Sequence, residues 1–321
     1  MAPTISLVIP SYNRADLIAQ TIDSALAQRE PFHEIIVVDD GSTDHTASVL
    51  AAFGDRIKVM FLANGGVQHA RNAGAAEASG DYITLCDSDD LLIPDFTETV
   101  MRWFRQYPDY DAFYSNFVTF NALGQDPDKF SGAPPGFFDG ARCEGDYLHG
   151  IPDLYARTVS YQPLFMSGCV VSKALYRRLG GFDSRFNRVG GEDWEFTLRV
   201  LEAGKVVLCK RPLVRIRRHE SNDSADSVHM ERGTAQILEH ALRHHPIAAN
   251  FRDIIVKGIE QRRLGVFHVA FGRGDFPVAQ EMLTLVRQRP TDLKFWMKML
   301  ITKLPPPVRQ SLWKATQGAG R

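Results

Sequence analysis

Tyr82-Ile83-Thr84-Leu85-Cys86-Asp87-Ser88-Asp89-Asp90 is the stretch on which the reading of this chain turns. An apolar, β-prone run behind Gly80 fits a short strand covered on both faces of a sheet. Open α/β sheets bind ligands outside the carboxyl ends of their strands, and the three carboxylates fall there. In extended backbone Asp87 and Asp89 point one way and Asp90 the other. Three negative charges this close repel unless a cation joins them, and oxygen ligands suit a hard divalent ion, Mg²⁺ or Mn²⁺. Taken alone, the stretch reads equally well as an exposed acidic turn with Asp90 as a helix cap. Its surroundings have to decide.

Upstream, strand and helix alternate. Residues 5–10 (Ile-Ser-Leu-Val-Ile-Pro) read as a strand, and residues 15–28 carry helical spacing. A second buried strand, from residue 34, again ends in acids, Asp39-Asp40, before a helix capped by Ser42 or Asp44. A strand over 57–62 and a small-residue helix over 70–78 complete the approach. This alternation predicts a mostly parallel sheet with right-handed crossovers. No Gly-x-Gly-x-x-Gly follows the first strand and no Gly-x-x-x-x-Gly-Lys-Ser/Thr occurs, which argues against a dinucleotide dehydrogenase and a P-loop NTPase.

Downstream, a helix over 97–107 and a strand over 111–120 precede a Gly-, Pro- and aromatic-rich stretch, 121–163. It shows little periodicity and reads as a functional loop or lid. Further strands are expected at 165–172, 206–208 and 213–216, with helices at 173–179 and from about 190 to 203. From about residue 228 the pattern is helical, with separate segments at 249–263 and 266–271. The expected layout is a domain over 1–227, with halves 1–120 and 121–227, and a helical C-terminal region over 228–321.

Composition narrows the class. Hydrophobic content of 44% and charged content of 23% are those of a soluble globular protein. A net charge of -1 argues against nucleic-acid binding driven by overall charge. Cys86, Cys143, Cys169 and Cys209 are scattered, as mostly buried thiols in a reducing compartment are. The start, Met1-Ala2-Pro3-Thr4, lacks a signal-peptide pattern, and no apolar run is long enough to span a membrane. The expectation is a cytoplasmic protein with at most peripheral membrane contact. Residues 291–321 carry six basic residues against Asp292, interleaved with Phe295, Trp296, Met299, Leu300 and Leu304. A basic amphipathic helix of this kind suits an anionic membrane surface, or a partner chain.

Six motifs stand in order over about residues 4–222. They are Val8-Ile9-Pro10-Ser11-Tyr12-Asn13-Arg14, Val37-Val38-Asp39-Asp40-Gly41-Ser42-Thr43-Asp44, and Gly66 with Ala70-Arg71-Asn72-Ala73-Gly74. Asp87-Ser88-Asp89-Asp90, Gly180-Gly181-Phe182-Asp183 and Gly191-Glu192-Asp193-Trp194-Glu195 follow, and the six together resemble the GT-A-fold glycosyltransferases of family 2. The resemblance implies an inverting enzyme on a Rossmann-like GT-A fold, with a nucleotide-sugar donor (a UDP-sugar by expectation) and Mn²⁺ or Mg²⁺. It also implies a glycan or lipid-linked acceptor, in surface polysaccharide or glycoconjugate synthesis.

It implies roles as well. Pro10 and Tyr12 shape a nucleobase pocket, and Asp39 or Asp40 accepts from the base or ribose. Arg14 and Arg71 meet phosphate or carboxylate charge, Arg71 having Asp87 or Asp39 as alternative partners. Asp89, with Asp87 and His219, holds the metal, His219 having a structural role as its alternative and Asp87 also facing the ribose or sugar, while Asp90 is structural. Asp193 is the general base; Glu192 binds the acceptor or orients the loop, and Trp194 either packs near the acceptor or sits in the core. Phe137, Phe138, Tyr147, His149, Tyr155 and Tyr161 either stack on acceptor sugars or pack the loop. Three competitors stay in view. A nucleotidylyltransferase wants a Gly-rich basic loop after the first strand. A non-catalytic carbohydrate-binding module on this fold predicts missing acids. A haloacid-dehalogenase-like phosphatase places its Asp-x-Asp on the first strand. Calcium binding of the EF-hand type fails at Leu92, where the sixth loop position needs glycine.

Overall fold

Apolar runs buried on both faces build one sheet. The computed structural model describes residues 3–219 and 226–318. They divide into two units: Met1–Arg188 with Glu192–Asn222, and Val189–Gly191 with Asp223–Arg321. Met1, Ala2 and Arg321, counted in the sequence reading of the two termini, lie outside the described residues.

In chain order the first unit holds β1 (Ile5–Ser11), α1 (Ile18–Leu26), β2 (Glu34–Asp39), α2 (Thr46–Ala51), β3 (Lys58–Phe61), α3 (Val67–Glu77), β4 (Tyr82–Leu85) and β5 (Leu91–Leu92). Then come α4 (Phe96–Gln106), β6 (Ala112–Asn121), β7 (Gly124–Gln125), β8 (Arg142–Glu144), β9 (Tyr147–His149) and α5 (Leu154–Ser160). β10 (Cys169–Ser172), α6 (Lys173–Leu179), α7 (Glu192–Ala203) and β11 (Val206–Arg217) complete it.

The sheet order is β3-β2-β1-β4-β10-β6-β11-β9-β8, with β5 on β11 and β7 on β6. β3, β2, β1 and β4 run parallel, as do β6 and β11, whereas β10 enters antiparallel between β4 and β6. The result is a mixed, mostly parallel GT-A-like sheet flanked by helices. Side chains alternate across it. Leu7, Ile9 and Val37 join a core with Ile18, Ile22, Val100 and Phe104 of α1 and α4. Val8, Ile36 and Val38 face Ala70, Ala75, Phe196 and Val200 of α3 and α7. Each fully buried Ile or Leu contributes roughly 1.5–3 kcal/mol relative to exposure.

Two expectations for this unit change. The 121–163 stretch is no bare loop: it forms β7, the β8–β9 hairpin and α5, and it packs Phe137, Tyr147 and Tyr155 inside. Residues 206–216 form one strand, not two, with its register shifted around Pro212, which has no N–H for the ladder.

The second unit contains α8 (Ser227–His244), α9 (Arg252–Arg273), α10 (Phe276–Leu285), α11 (Leu293–Lys303) and α12 (Pro306–Gly318). Here α9 is continuous where a break near Gly265 was expected, because Val266, Phe267 and Ala270 are buried with Ala279, Met282, Phe295 and Met299. Asp292 caps α11 by accepting the Phe295 N–H at 2.8 Å. No helix among the described residues is long and apolar enough to cross a membrane.

Candidate active site

Parallel strands deliver the acids to one edge. The Ser11-Tyr12-Asn13-Arg14 loop leaves β1 beside the Asp39-Asp40 end of β2, and hydrogen bonds stitch the two. The Asp40 N–H donates to Ser11 O (2.8 Å), the Asn13 N–H to Ser42 Oγ (2.8 Å), and the Thr43 N–H to Asn13 Oδ1 (2.8 Å). Pro10 is buried at the end of β1, while Tyr12 is 44% exposed.

Asp39 and Asp40 are both buried but differ in use. Asp40 accepts the Gly65 N–H on Oδ1 (2.9 Å) and the Gly66 N–H on Oδ2 (2.7 Å). Asp39 Oδ1 accepts the Ser42 N–H (2.9 Å), and Oδ2 has no hydrogen-bond partner among the described residues. Of the two, Asp39 is thus the one with an oxygen to offer a ligand. Gly66 sits at φ +90°, and a side chain there would collide with Asn187, whose amide donates to Gly65 O (2.9 Å).

Helix α3 follows that turn and carries Arg71 and Asn72. Asn72 Oδ1 accepts from the Phe182 N–H (2.8 Å) and the Tyr176 hydroxyl (2.7 Å), and its amide donates to Phe182 O (2.8 Å). The Gly-Gly-Phe-Asp motif is therefore a clamp: Gly181 has φ +71°, and a Cβ would lie 2.4 Å from Asn72 Oδ1. Phe182, held by this clamp, lies under the buried Arg71 guanidinium at 5.2 Å. Arg71 Nη2 donates to Asp87 Oδ1 at 2.6 Å, so its partner is Asp87 and not Asp39.

The three acids beyond β4 separate. Asp90 is buried; Ser167 Oγ donates to its Oδ2 (2.6 Å) and the Arg217 N–H to its Oδ1 (3.0 Å). Burial, then the Asp87 and Asp89 charges, push its carboxyl well above the usual range. Asp89 Oδ2 lies 2.9 Å from His219 Nε2 and 3.9 Å from Arg14 Nε, and Arg217 Nε donates to its backbone O at 3.0 Å. Asp87 is turned to Arg71. In this geometry Asp87, Asp89 and His219 do not form one cluster of ligand atoms among the described residues, and Asp89 and His219 are the pair that stand together.

Those two fit a divalent ion. Adjacent ligands of an octahedral ion with bonds of about 2.1 Å stand about 3 Å apart, close to the Asp89–His219 separation. A carboxylate with an imidazole is also a donor set that Mn²⁺ accepts.

Asp193 opens α7 beside Glu192. It is half-buried, and its carboxyl is pushed up to about 6. Burial is the main cause and the Glu192 charge the next, while Arg71 works in the opposite direction. Of the two places expected for Trp194, beside the acceptor or in the core, it takes the core, fully buried. Sequence reading missed Ser167, Asn187 and Arg217. A serine in Met166-Ser167-Gly168 carries no local signal, since its partner Asp90 is 77 residues away.

Comparison with known proteins gives two family matches. Residues 6–156 match the model described as glycosyl transferase family 2, and residues 153–221 match the N-terminal domain of galactosyltransferase. The chain is 37% identical over 139 residues to a putative teichuronic acid biosynthesis glycosyltransferase of Bacillus subtilis, a match covering 41% of this chain and 54% of that protein. The chain spans between 11% and 65% of the length of curated relatives of this kind. Among solved structures it resembles S. aureus TarS 1-349 in complex with UDP-GlcNAc (TM-score 0.63, 17% identity, 95% of this chain and 82% of that one). It also resembles the mannosyltransferase PcManGT from Pyrobaculum calidifontis in complex with GDP-Man and Mn2+ (TM-score 0.59, 19% identity, 99% and 80%). Motifs, sheet order and the family match over residues 6–156 agree on a glycosyltransferase of family 2.

Proposed function

We propose that this protein is a metal-dependent, inverting glycosyltransferase. It moves a sugar from a nucleotide-sugar, a UDP-sugar by preference, to a hydroxyl of a glycan or lipid-linked acceptor. One observation carries the reading. A half-buried carboxylate, Asp193, with its proton affinity raised, faces Arg71 and Asp87 on the edge where Asp89 meets His219. A raised carboxyl pKa beside a charge-binding cluster suits general-base work near neutral pH.

Pro10, Tyr12 and Asp39 hold the nucleoside, with Asp40 setting the loop beneath it. Arg14 meets diphosphate charge. Arg71 fixes Asp87, which faces the ribose or sugar. Asp89 and His219 hold Mn²⁺ or Mg²⁺, which when bound neutralises charge on the leaving nucleoside diphosphate. Glu192 orients the acceptor. The acceptor hydroxyl gives its proton to the Asp193 carboxylate as its oxygen bonds to the anomeric carbon. The bond from that carbon to the diphosphate oxygen breaks on the opposite face, so an α-linked donor gives a β-linkage.

The B. subtilis relative's name supports a place in surface polysaccharide or glycoconjugate synthesis. Leu293, Trp296, Met297 and Leu300 lie exposed at helical spacing on α11, with Lys294 and Lys303 beside them and no acid between 293 and 318. This face supports peripheral contact with the anionic inner face of the plasma membrane. The layout we propose is a catalytic domain over 1–227, with nucleotide-sugar and acceptor halves, and a helical region after it. The decisive experiment measures nucleoside diphosphate release from a panel of nucleotide-sugars with Mn²⁺ or Mg²⁺. Failure of the wild-type chain to bind any of them sinks the reading.

A further inference from the structure

The acceptor half has an opening that the site described above does not use. A cleft of about 500 Å³ lies by the carboxyl ends of β6 and β11, lined in part by Phe117, Asp126, Asp128, Lys129, Tyr161 and Arg218. It opens on the same edge of the sheet as the acids, because Arg218 immediately precedes His219. Its two acids are already engaged. Asp126 accepts from the Thr119 hydroxyl and lies 3.4 Å from Arg218 Nη1. Asp128 Oδ1 accepts from the Asn116 amide (2.6 Å) and the Ser131 N–H (2.9 Å), which shapes the loop.

Lys129 differs from both. It is half-buried, and no carboxylate pairs with it among the described residues. Its ammonium rests 4.7 Å from the centre of the Tyr161 ring. That ring is fixed, since its hydroxyl donates to Lys129 O at 2.7 Å and its edge meets Phe137 at 5.7 Å. Burial, and after it the positive charge of Arg218, hold Lys129 below the usual lysine range. A half-buried cation held by a ring face and no carboxylate, with a second cation beside it, gains from an oxyanion seated between the two. Arg218 is 63% exposed and its pairing with Asp126 is loose, so it is able to turn toward a ligand.

We propose that Lys129 and Arg218 seat an anionic substituent, a phosphate or a carboxylate, carried by the acceptor glycan, with Tyr161 and Phe117 as the apolar wall beside the sugar. This rests on the glycosyltransferase reading above and adds to it the class of acceptor: a negatively charged chain. Guanidinium and ammonium both bind such groups through charge-assisted hydrogen bonds, and the aromatic wall suits the CH face of a pyranose.

The test titrates the full chain calorimetrically with glucose 6-phosphate, glucuronate and methyl glucoside. It is repeated on Lys129→Gln, Arg218→Gln and the charge-keeping Lys129→Arg. The seat predicts that the anionic probes bind more tightly than the neutral one. Each glutamine variant loses about tenfold in anion affinity, and Lys129→Arg restores most of it. The tighter of the two anions tells phosphate from carboxylate. UDP binding in the presence of Mn²⁺ stays unchanged in both glutamine variants. Equal binding of all three probes, or glutamine variants that bind the anions as wild type does, overturns the seat. A fall in UDP affinity in Lys129→Gln overturns it too, since the cleft would then serve the donor. Anion binding that depends on Lys129 in a chain that transfers from no nucleotide-sugar upholds the seat and sinks the enzyme reading instead.

Discussion

Strands β2 and β4 end alike in sequence and unlike in structure. Each is a buried run closed by adjacent acids, Asp39-Asp40 in one and Asp87-Ser88-Asp89-Asp90 in the other. At β2 the second acid is consumed by the fold: both Asp40 oxygens take backbone N–H groups of the Gly65-Gly66 turn. At β4 the same thing happens to Asp90, tied to Ser167 and Arg217, but Asp87 and Asp89 meet Arg71, Arg14 and His219. So two kinds of buried acid stand side by side. One kind is closed by neutral donors and holds loops together. The other faces cations at an open edge, and Asp193 belongs with it. The first kind should answer to mutation in stability, the second in activity.

The largest effect tests the second kind. Asp193→Asn keeps the side-chain oxygen that accepts the Trp194 N–H at 2.8 Å, so the start of α7 is preserved. Transfer to a true acceptor is expected to fall by about 10²–10⁴, measured as nucleoside diphosphate release at saturating donor. Full activity in this variant would remove Asp193 from the chemistry and leave only a helix-terminal acid.

Asp40→Ala tests the first kind. It leaves two N–H groups of a tight turn without their acceptor, at about 1–3 kcal/mol for each group that stays buried and unpaired. Urea melts should show this loss, with Mn²⁺ dependence unchanged in the protein that remains folded. If stability holds while nucleotide binding disappears, Asp40 belongs with the open acids and the comparison fails at β2.

That contrast also marks how far the sequence could be read. The parallel half was legible because β1, β2 and β4 are covered on both faces and therefore appear as unbroken apolar runs. The acids were legible as a cluster for the same reason, since buried strand ends put them in one place. Which acid does what was not legible. Asp40 and Asp90 are sorted from Asp39 and Asp89 by partners 25 to 127 residues away, Gly65 and Arg217 among them. Nothing local announces such partners. The hairpin inside 121–163 escaped because its strands are three residues each, too short for periodicity to register. Trp194 is ambiguous in sequence for another reason: it sits beside acids, but a helix turns successive side chains by about 100°, and its ring is buried in the core.

Asp89→Asn sharpens the comparison at β4. The carboxamide keeps the shape but gives up the charge that faces His219 and Arg14. Half-saturation by Mn²⁺ is expected to rise by about 10–100-fold, and chelating the metal from wild type should abolish transfer. An unchanged Mn²⁺ requirement would move the metal away from Asp89 and with it the distinction between Asp89 and Asp90.

The smallest effect is the most discriminating, because it separates charge from shape at Asp193. As a base it has to be ionised, and its carboxyl is pushed from 3.8 up to about 6 by burial and Glu192. In metal-free protein, NMR titration should find it there. Below that pH the protonated fraction grows, so kcat/KM should fall about tenfold per pH unit. With Mn²⁺ bound near Asp89 the added positive field favours the carboxylate, and the acid limb should move to lower pH. Arg71→Gln removes an opposing charge that lowers this value and should move the limb upward. The stability sign follows from the same shift. A folded value above the unfolded one favours the native state below about 3.8 and is lost as pH rises through about 6. Above pH 6, Asp193→Asn should therefore be more stable than wild type, by on the order of 1–2 kcal/mol once partial exposure is discounted, and near pH 3 the two should melt together. A variant less stable at pH 7.5 would show an acid closed by the fold, as Asp40 is, and would place Asp193 on the other side of the comparison.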